Sequence, residues 1–290
     1  MVSADGFYRI VARFRTNSYK MALARALLAV EERERVPLVD LAEHVVASYY
    51  RHAVLYRLQE STNPRAVPVA VQVVQWATKQ VVGDGDPPRR PPARLLRLAA
   101  REITEPQDSP ADQSFFRYVL GAWSGDTRYP RNGGNDYFAF SRDEGWLEYS
   151  PEFASLIESQ GETLKATVAL SWASFLEKFN DSPKLVSKVS LNRPTRRIRK
   201  FADLFRDFPE VFEPDACWLC GAPLDWNDCS LDHLVPFTFQ YGDDLWNLVP
   251  THGACNSSKN DRIAPPAVIE RTIRRNAVIW DTPAEALGRW

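Results

Sequence analysis

Two metal-spaced pairs, Cys217-Trp218-Leu219-Cys220 and His252-Gly253-Ala254-Cys255, constrain this chain more than any other feature. A C-x-x-C turn aims two thiolates at one ion, and a tetrahedral structural zinc site needs two further nitrogen or sulfur ligands. The second pair supplies them at the same spacing, so the expected ligand set is Cys217, Cys220, His252 and Cys255. One such pair alone reads equally well as two buried cysteines, whereas two matched pairs favour Zn2+. Cys229 falls on a predicted strand, where it either packs in the core or replaces His252 as ligand. Four cysteines in 290 residues suit a reduced compartment better than a disulfide framework, so the expected location is cytoplasmic. The N-terminal residues lack the basic-then-apolar order of a secretory signal. No apolar run approaches the ~20 residues of a membrane span.

The length allows one large domain or two ordinary ones. Helical spacing after Asn17 and Ser18, a capping-competent pair, places Tyr19, Leu23, Ala26, Leu27 and Val30 on one face. Pro37 opens a second pattern with Leu38, Leu41, Val45, Tyr49 and Tyr56, and a third helix is predicted over residues 69–81. His44 and His52, in the second pattern, have no ligand-type partner at metal spacing and are read as packing or solvated residues. The glycine- and proline-rich residues 83–92 form a loop. Residues 137–140 and 146–149 read as a hairpin. Ser150-Pro151-Glu152 is a helix start, with a hydroxyl cap, proline in the first turn and an acid at the positive dipole end. Gly161 is expected to end that helix, and a further one carries Leu164, Val168, Trp172, Phe175 and Phe179. Residues 184–200 hold seven basic residues and no acid, then the chain turns acidic. This shift sets the expected boundary between a mostly helical domain, 1–200, of recognition, regulatory or partner-binding role, and a chemical domain, 201–290.

The chemistry is expected around Asp232 and His233, at the end of a strand halted by Pro236. Adjacent strand side chains point to opposite faces. Aspartate suits a hard cation, while histidine titrates near working pH and accepts a proton from water. Asn247 lies on a second apolar segment, predicted to pair antiparallel with the first. Asn256, Lys259 and Asn260 follow, at the start of a predicted helix that ends at Pro265-Pro266. Singly, each of these asparagines reads as a turn or cap residue.

Together, the order C-x-x-C, D-H-x-x-P, N-L, H-x-x-C-N-x-x-K resembles the zinc-bearing HNH, or ββα-metal, endonuclease superfamily. Two departures are visible: His252 stands where the second knuckle has cysteine, and Asn256 stands where the third signature residue is often histidine. The resulting H-N-N order is similar to the HNH domain of RNA-guided CRISPR nucleases and to bacterial restriction and defence nucleases. The resemblance covers residues 215–263 and is silent on the rest. It implies an α+β chain: a predominantly helical N-terminal region with a C-terminal zinc-stapled ββα-metal module.

The resemblance further implies catalytic Mg2+ or Mn2+ on Asp232 and Asn256, His233 as general base, and Asn247 fixing the loop between the strands. Asn260 is either a further ligand or a cap. The implied reaction hydrolyses DNA to 5′-phosphate and 3′-hydroxyl ends, in bacterial defence against foreign DNA. The alternatives are a non-catalytic zinc-stapled nucleic-acid binder and an RNA-cutting enzyme. Implied partners are DNA, with a second copy of the chain or other defence-system subunits. A net charge of −1 gives no global basic field, so nucleic acid must be held by local patches. The candidate contacts are Arg196, Arg197, Arg199 and Lys200 before the module and Lys259 and Arg262 within it; Arg271, Arg274 and Arg275 extend the second patch.

Overall fold

The computed structural model describes residues 2–12, 18–30, 34–61, 63, 67–104, 115–124, 131–190, 198–212 and 215–281. The chain divides into two compact units, Met1–Leu191 and Asn192–Trp290. The architecture is α+β, as the sequence predicts.

The first unit contains α1 (Ala4–Ala12), α2 (Tyr19–Ala29), β1 (Arg35–Pro37), α3 (Leu38–Tyr49), α4 (Val69–Val82), α5 (Ala93–Thr104), α6 (Phe115–Ser124), β2 (Asn132–Gly134), β3 (Phe138–Ser141), β4 (Trp146–Tyr149), α7 (Pro151–Leu176) and α8 (Leu185–Val189). Helix α2 is buried on every side, as expected of a helix apolar all round. The predicted stripe Leu38, Leu41, Val45 and Tyr49 is buried on α3. Tyr56, assigned to the same stripe, lies beyond a π-helical turn, Tyr50–Leu55, whose wider winding breaks the 3.6-residue register. The predicted hairpin forms, with Phe138 opposite Tyr149 and Ser141 opposite Trp146. It is the centre of an antiparallel sheet of order β1-β4-β3-β2. The flanking strands are three residues long, too short to leave a period in the sequence.

Two further sequence expectations fail here. Gly161 does not end a helix, because α7 runs through it from Pro151 to Leu176. A mid-helix glycine costs about 1 kcal/mol relative to alanine, and burial of Phe153, Ile157, Leu164, Val168 and Trp172 on both sides of it outweighs that. Ser18 precedes α2 but does not cap it; its companion Asn17 lies outside the described residues. The Ser18 hydroxyl turns inward, donating to Glu60 and sharing a 2.8 Å hydrogen bond with the Tyr49 hydroxyl. Burial pushes the Glu60 carboxyl up to about 7. His52 packs edge-on against Trp172, with ring centroids 4.4 Å apart, and His44 is exposed. Ser150 does cap α7, accepting from the Phe153 N–H at 3.2 Å.

The second unit contains α9 (Ala202–Asp207), α10 (Pro209–Phe212), β5 (Cys229–His233), α11 (Phe237–Gln240), β6 (Leu248–His252), α12 (Gly253–Lys259) and α13 (Pro266–Asp281). Strands β5 and β6 pair antiparallel, from Cys229 opposite His252 to His233 opposite Leu248. Pro265-Pro266 does not end a helix: α12 stops at Lys259, and Pro266 opens α13. Proline fits a first helical turn because its missing N–H has no intrahelical partner to lose. Among the described residues, the apolar interior comprises two small clusters, one around Phe201, Phe205, Phe212 and Leu248, the other around Leu234, Ala264 and Val268.

Arg275 was expected on a basic track but is 4% exposed. Its guanidinium donates to the carbonyls of Leu248 at 2.6 Å and Trp246 at 3.0 Å, so α13 is tied to the approach to β6. Its five donors make arginine well suited to collecting carbonyls in this way.

Candidate active site and metal centre

The knuckle that carries Cys217 and Cys220 is a short ribbon closed by a tight turn. Ala216 bridges Pro223, the Cys217 N–H donates to the Ala222 carbonyl and the Gly221 N–H to the Cys217 carbonyl, both at 2.8 Å. Gly221 has φ +75°, a left-handed conformation that glycine adopts without steric cost. The Trp218 N–H donates to the Pro250 carbonyl at 3.0 Å, which anchors the turn on β6.

His252 ends β6 and Cys255 lies in the first turn of α12. The ligand atoms of Cys217, Cys220, His252 and Cys255 all lie within 4.8 Å of one another. His252 Nδ1 is 3.5 Å from Cys220 Sγ and 3.8 Å from Cys255 Sγ. Ordinary zinc bond lengths at a tetrahedral angle put sulfur and nitrogen about 3.6 Å apart, so the set fits zinc. His252 Nε2 lies 3.0 Å from the Pro223 carbonyl, which can only accept. The ring proton is therefore on Nε2 and the lone pair on Nδ1, the arrangement a metal-ligating histidine needs. Burial alone would raise the Cys217 thiol, but backbone N–H groups of His252, Cys220 and Leu219 outweigh it and bring it down to about 7. Cys255 is pushed up to about 11 by burial and by the neighbouring Cys220 and Cys217. Cys229 stands opposite His252 in the sheet and outside the four-atom set.

Two strands, a metal knuckle and the α12 helix that follows form a ββα unit. Residues 217–265 match the family model described as HNH endonuclease. This segment is similar to HNH endonucleases. No curated protein and no solved structure matches the chain. A match to an endonuclease family implies a nucleic-acid substrate, and the Cys3His cluster is compatible with zinc. No helix among the described residues is long and apolar enough to cross a membrane.

Within the HNH module, Ser230 and Asp232 are two residues apart on β5 and share a face. Asn256 and Lys259 are three apart on α12 and share a face as well. The two faces meet: Asn256 Nδ2 donates to Ser230 Oγ at 2.9 Å, and Lys259 Nζ lies 3.1 Å from Asp232 Oδ2. Asp232 and Asn256 therefore stand on one seam. Asp232 is 6% exposed, so its ion pair with Lys259 is buried. Burial raises its carboxyl above the ordinary value against the pull of the Lys259 ammonium. Lys259, expected to face a substrate phosphate, is 8% exposed and turned onto this carboxylate. Asn260 is exposed and ends α12, its N–H donating to the Asn256 carbonyl at 2.9 Å.

His233 occupies the opposite face of β5, as strand alternation requires. The imidazole, assigned from the sequence to take a proton from water, is enclosed by protein. His233 is 4% exposed, its Nε2 lies 2.9 Å from Asp243 Oδ1, and its ring packs against Phe237 at 5.2 Å. Asn247 is fully buried. Its side chain accepts from the Val235 N–H at 2.7 Å and donates to the Val235 carbonyl at 2.8 Å. One amide thus brackets the residue two positions after His233 and holds the exit of β5.

The basic candidates separate. Arg196 and Arg197 lie outside the described residues; Arg199 and Lys200 belong to the short 3-10 turn Ile198–Phe201. Lys188, within the basic run, is 1% exposed and donates to Ser182 Oγ at 2.6 Å, and burial lowers its ammonium to about 8. Arg271 stacks over Trp218 at 4.2 Å. Arg262 and Arg274 are exposed. Sequence reasoning missed Asp243 because no motif spacing marks it.

Proposed function

We propose that the second unit is a divalent-cation-dependent endonuclease that hydrolyses DNA phosphodiesters to 5′-phosphate and 3′-hydroxyl ends. The observation that carries this reading is the β5–α12 seam, where the buried Asp232 carboxylate, paired with the Lys259 ammonium, and the Asn256 side chain face the same side. The Asn256 amide nitrogen is committed to Ser230, so its carbonyl oxygen is the atom offered to a ligand. An oxygen donor set of this kind fits a hard ion such as Mg2+ or Mn2+, and Asp232 and Asn256 are the residues that would hold it. Such an ion supplies Lewis-acid polarisation of the phosphate and charge stabilisation at the leaving oxygen.

His233 takes the proton of the attacking water in this reading, and Asn247 holds Val235 so that the strand end carrying the imidazole keeps its aim. The ring is buried under Phe237 and the bend bearing Asp243, so this reading requires that cover to shift for water to reach it. Exposed Arg262 and Arg274, with Arg196, Arg197, Arg199 and Lys200, are the phosphate contacts of the proposal. Such contacts hold the backbone without reading sequence. The helical first unit selects the target or a partner in defence against foreign DNA, a role supported by resemblance to defence nucleases; a second copy of the chain is the partner expected for two-strand cutting.

The test is nicking of supercoiled plasmid by the zinc-loaded full-length chain, with Mg2+ or Mn2+ and with the ion withheld. Ion-dependent nicks that a DNA ligase reseals are expected. Absence of nicking with either ion rejects the reading, and cutting confined to RNA of the same sequence rejects the substrate.

Lys259 bears on the same seam. In this reading its ammonium supplies the countercharge that a divalent ion must displace from Asp232. Lys259→Met should therefore tighten Mn2+ binding several-fold, measured as depletion of the free-ion EPR signal. Unchanged or weaker binding would show that the lysine does not compete for the carboxylate.

A further inference from the structure

The Asp243 carboxylate lies on a bend between α11 and the 3-10 turn Leu245–Asn247. Tyr241 ends α11 in the left-handed region at φ 54°, which turns the chain sharply and directs the following residues back towards β5. Two acids follow Gly242, and their surroundings differ. Asp244 is half-buried, and its Oδ2 sits at the 3.5 Å limit of a bond from the Gln240 amide. Asp243 turns inward, with its side chain 10% exposed and its Oδ1 2.9 Å from the Nε2 of a histidine side chain that is 5% exposed.

We infer that Asp243 is a positioning residue for His233: it fixes the imidazole tautomer and aims the ring for proton transfer. The inference rests on the nuclease reading above. A carboxylate can only accept, so the pair places the ring proton on Nε2 and the lone pair on Nδ1. Nδ1 is then the atom that takes the water proton. When it does so, the imidazolium formed stands beside a fixed, largely desolvated negative charge, which stabilises it more than solvent-screened charge does. As Nδ1 takes that proton, the water oxygen bonds to phosphorus and the P–O3′ bond breaks; the leaving 3′-oxygen takes a proton from solvent water, and the imidazolium returns its own to solvent. The ring cannot flip to offer Nε2 without losing the Asp243 contact, and Phe237 on its flank further limits rotation. The second clamp, from Asn247 to Val235, acts on the backbone after His233 rather than on the ring. The two devices therefore constrain different freedoms of one side chain.

The experiment compares the zinc-loaded full-length parent with Asp243→Ala, Asp243→Asn and, as a neighbouring-acid control, Asp244→Ala. Long-range 1H–15N spectra at fixed pH report the tautomer of each imidazole. The chain has four histidines, and His233→Gln assigns the relevant signal. The parent should show an Nε2–H tautomer at His233, and Asp243→Ala a mixture of the two. In plasmid nicking, Asp243→Ala should lower kcat at least tenfold with KM and zinc content unchanged. Asp243→Asn, which keeps an acceptor oxygen but not the charge, should fall between, and Asp244→Ala should match the parent.

An Nδ1–H tautomer in the parent overturns the inference. So does an unchanged kcat in Asp243→Ala. A kcat raised by Asp243→Ala overturns it in favour of a latch that holds the ring away from water. A parent that does not nick rejects the nuclease reading itself, whereas a parent that nicks as well without the Asp243 carboxylate rejects only this inference.

Discussion

Cys217→Ala should release the structural metal and unfold the second unit while the helical first unit stays folded. The reason lies in how little apolar surface the HNH module encloses. Its two apolar clusters centre on Phe201, Phe205, Phe212 and Leu248 and on Leu234, Ala264 and Val268, and a fold of this size is marginal without a staple. Binding of structural zinc is worth about 10–16 kcal/mol in small zinc-folded peptides, far above the few kcal/mol left to the clusters. The knuckle also carries mechanical links: Trp218 is tied to Pro250, and His252 and Cys255 sit where β6 passes into α12. Loss of the metal should therefore loosen the strand–helix junction that supports Asn256. Elemental analysis should find one zinc in the parent and none in Cys217→Ala, and limited proteolysis should degrade the variant's second unit first. Cys229→Ala should keep its zinc, since that thiol lies outside the ligand set. A parent without zinc, or a Cys217→Ala chain as protease-resistant as the parent, would remove the staple from the account.

His233→Ala should abolish measurable nicking, with a loss on the order of 10²–10⁴, the usual contribution of a positioned general base. The variant should still hold zinc, because the ligand set is built from the knuckle, the end of β6 and the start of α12 and includes no atom of His233. Truncation has a structural side effect: it removes the imidazole from the largely buried Asp243 carboxylate, which is unfavourable for a desolvated charge. His233→Gln, which retains a hydrogen-bond donor for Asp243, separates the two effects. It should fold and bind zinc as the parent does and still fail to cut. Full activity in His233→Gln would mean that no proton passes through residue 233, and the proposed chemistry would have to be moved elsewhere.

The zinc-compatible cluster was legible because metal chemistry fixes spacing: a tight turn can aim two donors at one ion only at short separations, so Cys217, Cys220, His252 and Cys255 stood out as pairs. The strand pair was legible from apolar segments before and after Pro236. What failed were inferences that treat a residue in isolation. Gly161 is a helix breaker by propensity, yet it lies in the middle of α7 because packing on both sides decides. Ser18 is a good cap by type, but it serves Glu60 and Tyr49 instead. Pro265-Pro266 was read as a stop and proved to be a start, since proline marks a boundary without saying on which side the helix lies.

The division between the two levels is physical. Sequence by itself determined which residue types recur at metal and strand spacing, and hence the α+β class, the HNH segment and its zinc-compatible cluster. Only tertiary structure decided where each charge is neutralised. Lys259 faces Asp232, Asp243 faces His233, and Arg275 is spent on backbone carbonyls. Each of these pairings joins residues on different elements, or across a turn, and no local period encodes them. Burial and desolvation select such partners after the chain has closed, which is why the acid beside the imidazole became visible only once β5 and the bend after α11 were brought together.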